Sequence, residues 1–383
     1  MREKANFKFP AGATNRLRHS ASGDPTTIWR EVKTGNTKPN GDPETKTTYF
    51  GNTVAQTMGG MIDDLVLVGG LKFDPVKPKV AAPALLAEWK KLLVDMNAAK
   101  IQISVGFAPQ PLTGDVDAFN KFVFGPNNDP GFANCAKAMV DVMDRDLPGW
   151  AGMSFDLEHI TVLDPDTGFP PTPARRPAAT LECRDRLSLF YQAVCIAAGD
   201  RMVPIIAGAK IDKDHCFVHA QSGPFPAPIF ALLHDWTAIT ALPNSTLLAM
   251  AYDGDPGGGA DGRLRWHRDS IEYATTSKPK NPDDTPMIHP TKFQLLIKTG
   301  KSKKQVPGQP PPPEPGMLET SSEIEARMAL AREFSVGICY FPGTPQNLAT
   351  YEKLLNGSAP KPGIANGQPF QHPIADVATT FKP

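Results

Sequence analysis

The sequence predicts an α/β protein, a (β/α)8 TIM barrel with long Pro/Gly-rich loops. Three observations predict it. Short apolar runs of strand length alternate with runs of helical spacing over residues 46–357, and such alternation implies parallel strands. The alternation yields about eight units, the number that a closed barrel needs. No G-x-G-x-x-G follows an early strand, and Gly69–Gly70 alone is too weak a signal for the open dinucleotide-binding sheet.

Residues 1–45 are polar and rich in Thr, Asn, Gly and Pro, and are expected to form an N-terminal extension. The barrel is then expected over 46–357, with a C-terminal tail at 358–383. The first strand is expected at Thr47–Gly51. The second lies within Met61–Leu71, where D-D-L-V-L-V-G-G-L reads as a buried strand. Leu85–Ala99 has helical spacing, with Leu85, Trp89, Leu92, Leu93 and Met96 on one face. The third strand is Ile101–Phe107. A helix over Ala133–Arg145 leads to the fourth strand, Met153–Ile160. After a Pro-rich loop come a helix at Leu187–Ala198 and a strand at Met202–Ala207. A helix near Ile229–His234 precedes the sixth strand, Ser245–Tyr252. A helix around Arg263–Thr275, a strand at Lys292–Lys298, and a helix at Glu319–Glu333 capped by Thr320, Ser321 or Ser322 follow. Ser335–Phe341 and a helix at Asn347–Leu355 close the series.

Composition narrows the function. Forty basic residues balance forty acidic ones, so nothing favours nucleic acid or an acidic membrane as a partner. No stretch approaches the length of a membrane span. The five cysteines, at 135, 183, 195, 216 and 339, are scattered and form no C-x-x-C pair, which suggests free thiols in a reducing compartment. The start, M-R-E-K-A-N-F-K-F-P, lacks an apolar core, so no ordinary signal peptide is expected. The cytoplasm is the default location, with export by a non-classical route, as for a toxin-like effector, the alternative. The oligomeric state is not legible.

The most informative stretch is Gly149–Ile160, G-W-A-G-M-S-F-D-L-E-H-I. On a strand, Ser154, Asp156 and Glu158 share one face, and Met153, Phe155 and Leu157 take the other. Burial and like charge raise the pKa of one of two neighbouring carboxyls, which leaves it able to donate a proton near neutrality. In a barrel the chemistry sits at the C-terminal strand ends. Glu158, Tyr252 and Ser104 all lie near such ends, before long loops.

Three fragments fall in order along these strands: S-V-G-F with Ser104 and Phe107, A-G-M-S-F-D-L-E from Ala151 to Glu158, and M-A-Y-D with Met250, Tyr252 and Asp253. Together they resemble the glycoside hydrolases of family 18, the chitinases and endo-β-N-acetylglucosaminidases. Those barrels carry S-x-G-G, D-x-x-D-x-D-x-E and M-x-Y-D on the third, fourth and sixth strands. The resemblance departs from the family at Ala151 and Ser154, which replace aspartates, and at Phe107, which replaces a glycine. It also lacks the final-strand tryptophan, so Tyr340 or Phe341 would floor the sugar site.

The resemblance implies substrate-assisted, retaining hydrolysis of N-acetylhexosamine glycans without a metal or other cofactor. Glu158 would be the acid, Asp156 would stabilise the oxazolinium, and Tyr252 would hydrogen-bond the acetamido group. Ser104, Phe107, Ser154, Met250, Asp253, Tyr340 and Phe341 would line the substrate site, with Ser154 a candidate to hydrogen-bond Asp156. Trp150, Trp236 and Trp266 are further stacking candidates. Two other readings stand beside this one. A metal hydrolase could use Asp212, Asp214, His215 and His219. A non-catalytic barrel could bind sugar or protein.

Overall fold

The structure, a computed structural model, describes residues 19–23, 29–49, 55, 62–73, 80–81, 86–108, 116–126, 131–156, 162–208, 235–250, 259–275, 288–298 and 321–341. Eight parallel strands make the barrel: β1 (His19–Gly23), β4 (Asp64–Phe73), β6 (Gln102–Ala108), β7 (Gly152–Asp156), β8 (Val203–Gly208), β9 (Ser245–Met250), β10 (Phe293–Lys298) and β11 (Gly337–Phe341). Strand β1 pairs with β11 on one side and β4 on the other, so the sheet closes on itself. The two-residue strand β5 (Val80–Ala81) adds antiparallel to the end of β4.

Two expectations about the N-terminal region are corrected. The first barrel strand is His19–Gly23, inside the segment read as an extension. Thr47–Tyr49 instead belongs to β3 (Pro43–Tyr49), which pairs antiparallel with β2 (Trp29–Thr37) as a separate hairpin. A five-residue strand reading H-S-A-S-G carries almost no apolar signal, because its place is fixed by two neighbours rather than by its own burial pattern.

The register gives the barrel's geometry. Paired positions followed around all eight strands, from the lower β4–β6 register, return to β4 eight residues from the start. Eight strands with a stagger of eight is the closure of a (β/α)8 barrel. It sorts the inward side chains into levels, each drawn from alternate strands. Val66, Ser154, Leu248 and Cys339 share one level, and Gly106, Ile206 and Leu296 share the next. The packing agrees: Val66, Ile206, Leu248, Leu296 and Cys339 form their own buried cluster, apart from the main core.

The main core lies between the sheet and the helices. In α1 (Leu86–Ala98), Trp89, Leu92, Leu93 and Met96 are all buried, as their spacing predicts. Helix α2 (Val116–Phe124) was not expected, whereas α3 (Phe132–Asp146) was. Gly149, at φ 93°, turns the chain from α3 into β7. Helix α4 (Arg176–Ala198) begins eleven residues before the predicted Leu187, with a proline in its first turn, where the missing N–H costs nothing. Its Phe190 meets Phe119, Phe122, Phe132 and Phe155 edge-on, with ring centroids 5.6–6.5 Å apart. Helices α5 (Trp236–Thr240), α6 (Gly259–Thr275) and α7 (Ser321–Phe334) complete the described set. The expected helices at 229–234 and 347–355 lie outside the described residues. None of the described helices is long and apolar enough to cross a membrane.

At the N-terminal end of the barrel, Lys292 is buried and donates to the carbonyls of Thr240 and Leu242, just past α5. Carbonyls at a helix end lack intrahelical donors, and a lysine satisfies them. Burial pushes its ammonium down to about 7 from 10.5. Between those values the unfolded chain binds the extra proton, so stability should rise as pH climbs from about 7 to 10.5. We expect Lys292→Met to flatten that rise relative to the parent protein in urea melts across this window. Parallel pH profiles for the two would show that Lys292 contributes nothing to it.

Candidate active site

The stagger decides which candidates reach the mouth. Asp156 is the last residue of β7 and occupies an upper inward level, one below the backbone positions of Ala108, Gly208 and Lys298; it is half-buried, with Oδ1 shielded from solvent. The register brings the backbone positions of Met250 on β9 and Phe341 on β11 to the same level. These three sequence candidates therefore converge. Phe341 pairs with Lys298, and Tyr340 pairs with Ile297. The charge of Asp156 is felt across β7: after burial itself, it is the next largest influence raising the pKa of Tyr191 on α4.

Two candidates do not reach the mouth. Ser104 is in register with Gly152, three levels below Asp156, which is about 8 Å along the barrel axis at ~3.3 Å per residue and the usual strand tilt. It is 2% exposed beneath the apolar levels and cannot touch a substrate held at the rim. Phe107 points outward. It is buried in the main core and stacks on Phe155 at 6.1 Å, with an interplanar angle of 20°. Trp150 is also structural: its Nε1 donates to Asp144 at 2.9 Å, and Arg201 lies over its ring at 4.2 Å. The side chains of Trp236 and Trp266 lie outside the described residues.

Ser154 has a different role from the one expected. Its hydroxyl donates to the backbone carbonyl of Leu67 at 2.5 Å, not to Asp156. Strand β4 slips register against β6 between Val66 and Gly70, a bulge that disturbs the ladder there. Leu67 lies within that slip, and the serine of β7 satisfies its carbonyl from across β6. The intervening position, Gly106, pairs with Ser154 and has no side chain to block the path. The bulge did leave a signal in the sequence, the Gly69–Gly70 pair inside an apolar strand. Ala151, where the family has its first aspartate, takes part in the backbone ladder, receiving an N–H from Met202 at 3.0 Å.

Past β7, the connection to α4 is ordered by ion pairs. Arg175 reaches Glu182 at 2.8 Å, Asp166 at 3.1 Å and Asp164 at 3.4 Å, and these carboxylates raise its pKa further. Asp164 also closes a tight turn, accepting the backbone N–H of Gly168 at its carbonyl. Glu158, Tyr252 and Asp253 lie outside the described residues, two or three positions beyond the described ends of β7 and β9. Asp212, Asp214, His215 and His219 lie outside them too. Among the described residues no group of three His, Cys, Asp or Glu side chains is placed to hold a metal.

By sequence the chain matches no family model and no curated protein. By structure it is similar to several solved barrels. The Bacillus cereus spore cortex-lytic enzyme SleL aligns at a TM-score of 0.54 and 14% identity, over 91% of this chain and 76% of that one. The Chromobacterium violaceum chitinase aligns at 0.50 and 14%, over 87% and 98%. The family 18 chitinase of Cycas revoluta, solved in complex with (GlcNAc)3, aligns at 0.50 and 10%, over 89% and 99%. The chain shares the fold of the family 18 chitinase barrels. The resemblance that the three sequence fragments suggested is therefore carried by the whole barrel, at an identity too low for a sequence match.

Ser154→Ala should cost about 1–3 kcal/mol in urea denaturation, the price of stranding a buried acceptor. Ser154→Asp should cost more, because a carboxylate would there face a carbonyl that can only accept. Wild-type stability in both would contradict the role given to the Leu67 bond.

Proposed function

We propose that the protein is a glycoside hydrolase that cleaves β-linked N-acetylhexosamine glycans, such as chitin, the N-glycan core or peptidoglycan, by substrate-assisted hydrolysis with retention. The observation that carries the reading is the position of Asp156, at the C-terminal end of β7 in the upper part of the barrel interior, with a shielded carboxylate oxygen. Glu158 follows Asp156 by two residues in the sequence, the spacing that would set both carboxyls on one face of a continuing strand.

In this reading Glu158 protonates the glycosidic oxygen as the bond to the anomeric carbon breaks. The acetamido oxygen of the substrate attacks that carbon, and Asp156 offsets the positive charge of the oxazolinium. Tyr252 donates to the acetamido group, while Met250, Asp253 and Phe341 line the sugar site; Tyr340, the neighbour of Phe341 on β11, shares the strand face of Ile338, which packs toward the helices. Water then opens the ring, returning a proton to Glu158. Two carboxylates on one face of one strand suit this chemistry. At the D-x-E spacing on one extended strand, the two would be too close together to flank a sugar ring from opposite sides.

The second reading, a barrel that binds sugar without cleaving it, has one observation in its favour. Ser154, in place of the family's second acid on this strand face, gives its hydrogen to the Leu67 carbonyl.

Mutants separate the two. Glu158→Gln should lower turnover of an N-acetylglucosamine oligomer by at least ~10²-fold while leaving binding nearly intact, because the amide cannot donate the proton. Asp156→Asn should be comparably severe. Tyr252→Phe should lose about one charge-assisted hydrogen bond, ~1.5–3 kcal/mol. Turnover that survives Glu158→Gln would exclude this strand as the active site. Binding without turnover in the unmutated protein would establish the second reading.

A further inference from the structure

The interior of a (β/α)8 barrel is normally filled by bulky branched side chains. The upper half of this one obeys, with Val66, Ile206, Leu248 and Leu296 buried together. The lower half does not. Its lowest level holds Asp64, Gly152, Thr246 and Gly337, and the level above holds Ser104, Pro204 and Gln294. None of the described residues on these two levels is Val, Ile or Leu. Asp64, Ser104, Thr246 and Gln294 are each at most 3% exposed.

Two polar atoms here have no protein partner: Thr246 Oγ1 and Gln294 Oε1. They come from adjacent strands. Leu247 pairs with Phe293 in parallel strands, so Thr246 and Gln294 are diagonal neighbours, about 8 Å apart at the backbone from the strand spacing and a two-residue offset. A threonine hydroxyl is short, and the glutamine amide closes only part of that gap. The two atoms do not bond each other, and a water between them would donate to the acceptor-only amide oxygen and still have a hydrogen for the hydroxyl. A buried water needs two to four polar partners, and this region supplies them.

We propose that the lower barrel is a hydrated chamber whose ordered water bridges Thr246 and Gln294, sealed from the mouth by the apolar levels above. A protein interior leaves few polar groups unpaired, and an ordered water costs little compared with a stranded hydroxyl and amide. The chamber is separate from the proposed sugar site and stands whether or not the protein cleaves glycans. Gly152 on the lowest level has no room for a side chain, since a Cβ there would lie 2.4 Å from Ser104 Oγ and 2.6 Å from the Met202 carbonyl.

The near-isosteric change Thr246→Val tests this. If water bridges the pair, the variant strands it and the melting temperature falls by about 2 °C or more. Gln294→Met should do the same, and the double variant should fall by less than the sum, since both singles break one shared bridge. A high-resolution crystal structure of the unmodified protein should show water density within hydrogen-bond reach of both atoms. A raised melting temperature in Thr246→Val would mean that the hydroxyl was unsatisfied in a dry interior. Empty density, or a direct bond between the two side chains, would equally overturn the proposal.

Discussion

Closure of the sheet is the constraint on which everything else depends. Strand β1 must pair with both β4 and β11, and the stagger of eight then leaves no freedom in where inward side chains stand. It lifts Asp156 to the upper part of the interior and drops Ser104 three levels below it, although the two strands are neighbours. It also divides the interior in two. Beneath Asp156 the upper levels are mostly apolar, with the Ser154 hydroxyl tied to a backbone carbonyl, while the lower ones carry no branched aliphatic side chain among the described residues. A rim that holds charge above a dry layer keeps a carboxylate from being solvated from below, which is the setting in which charge stabilisation is strongest.

The bond from Ser154 to Leu67 shows how one substitution is absorbed by this geometry. A barrel with an aspartate at that position must find a donor for it. This chain instead uses a hydroxyl, which can give a hydrogen bond, and aims it at the carbonyl of the β4 bulge. The bulge in turn fits because Gly106 leaves the path open. Ser154, Gly106 and the slip in β4 thus form one arrangement, and changing any one of them disturbs the others. A hydroxyl in place of a second acid thus ties β7 to β4.

Much of this was legible in the sequence, and the reasons for the failures are physical. The stripe of α1 and the two-sided pattern of β7 were clear because each buries one face, and burial leaves a period in the sequence. Phe107 was misplaced although the same alternation applies to S-V-G-F. If Ser104 and Gly106 face inward, Phe107 must face the helices, as its stacking on Phe155 shows. The depth of Ser104 could not be read, because register is a relation between strands, not a property of one. Strand β1 left no trace, since a short polar segment is held in place by backbone pairing on both sides. The aromatic cluster around Phe190 was hidden for a similar reason, being drawn from α2, α3, β7 and α4.

The central claim is that the upper end of β7 is the centre of a retaining, substrate-assisted glycosidase. The anomeric configuration of freshly released product tests it most directly. Proton NMR during hydrolysis of a β-linked N-acetylglucosamine oligomer should show the β-anomer first, with the α-anomer growing in only at the rate of mutarotation. First appearance of the α-anomer would mean inversion by a water held between two separated carboxyls, and would contradict an account built on Asp156 and Glu158 side by side.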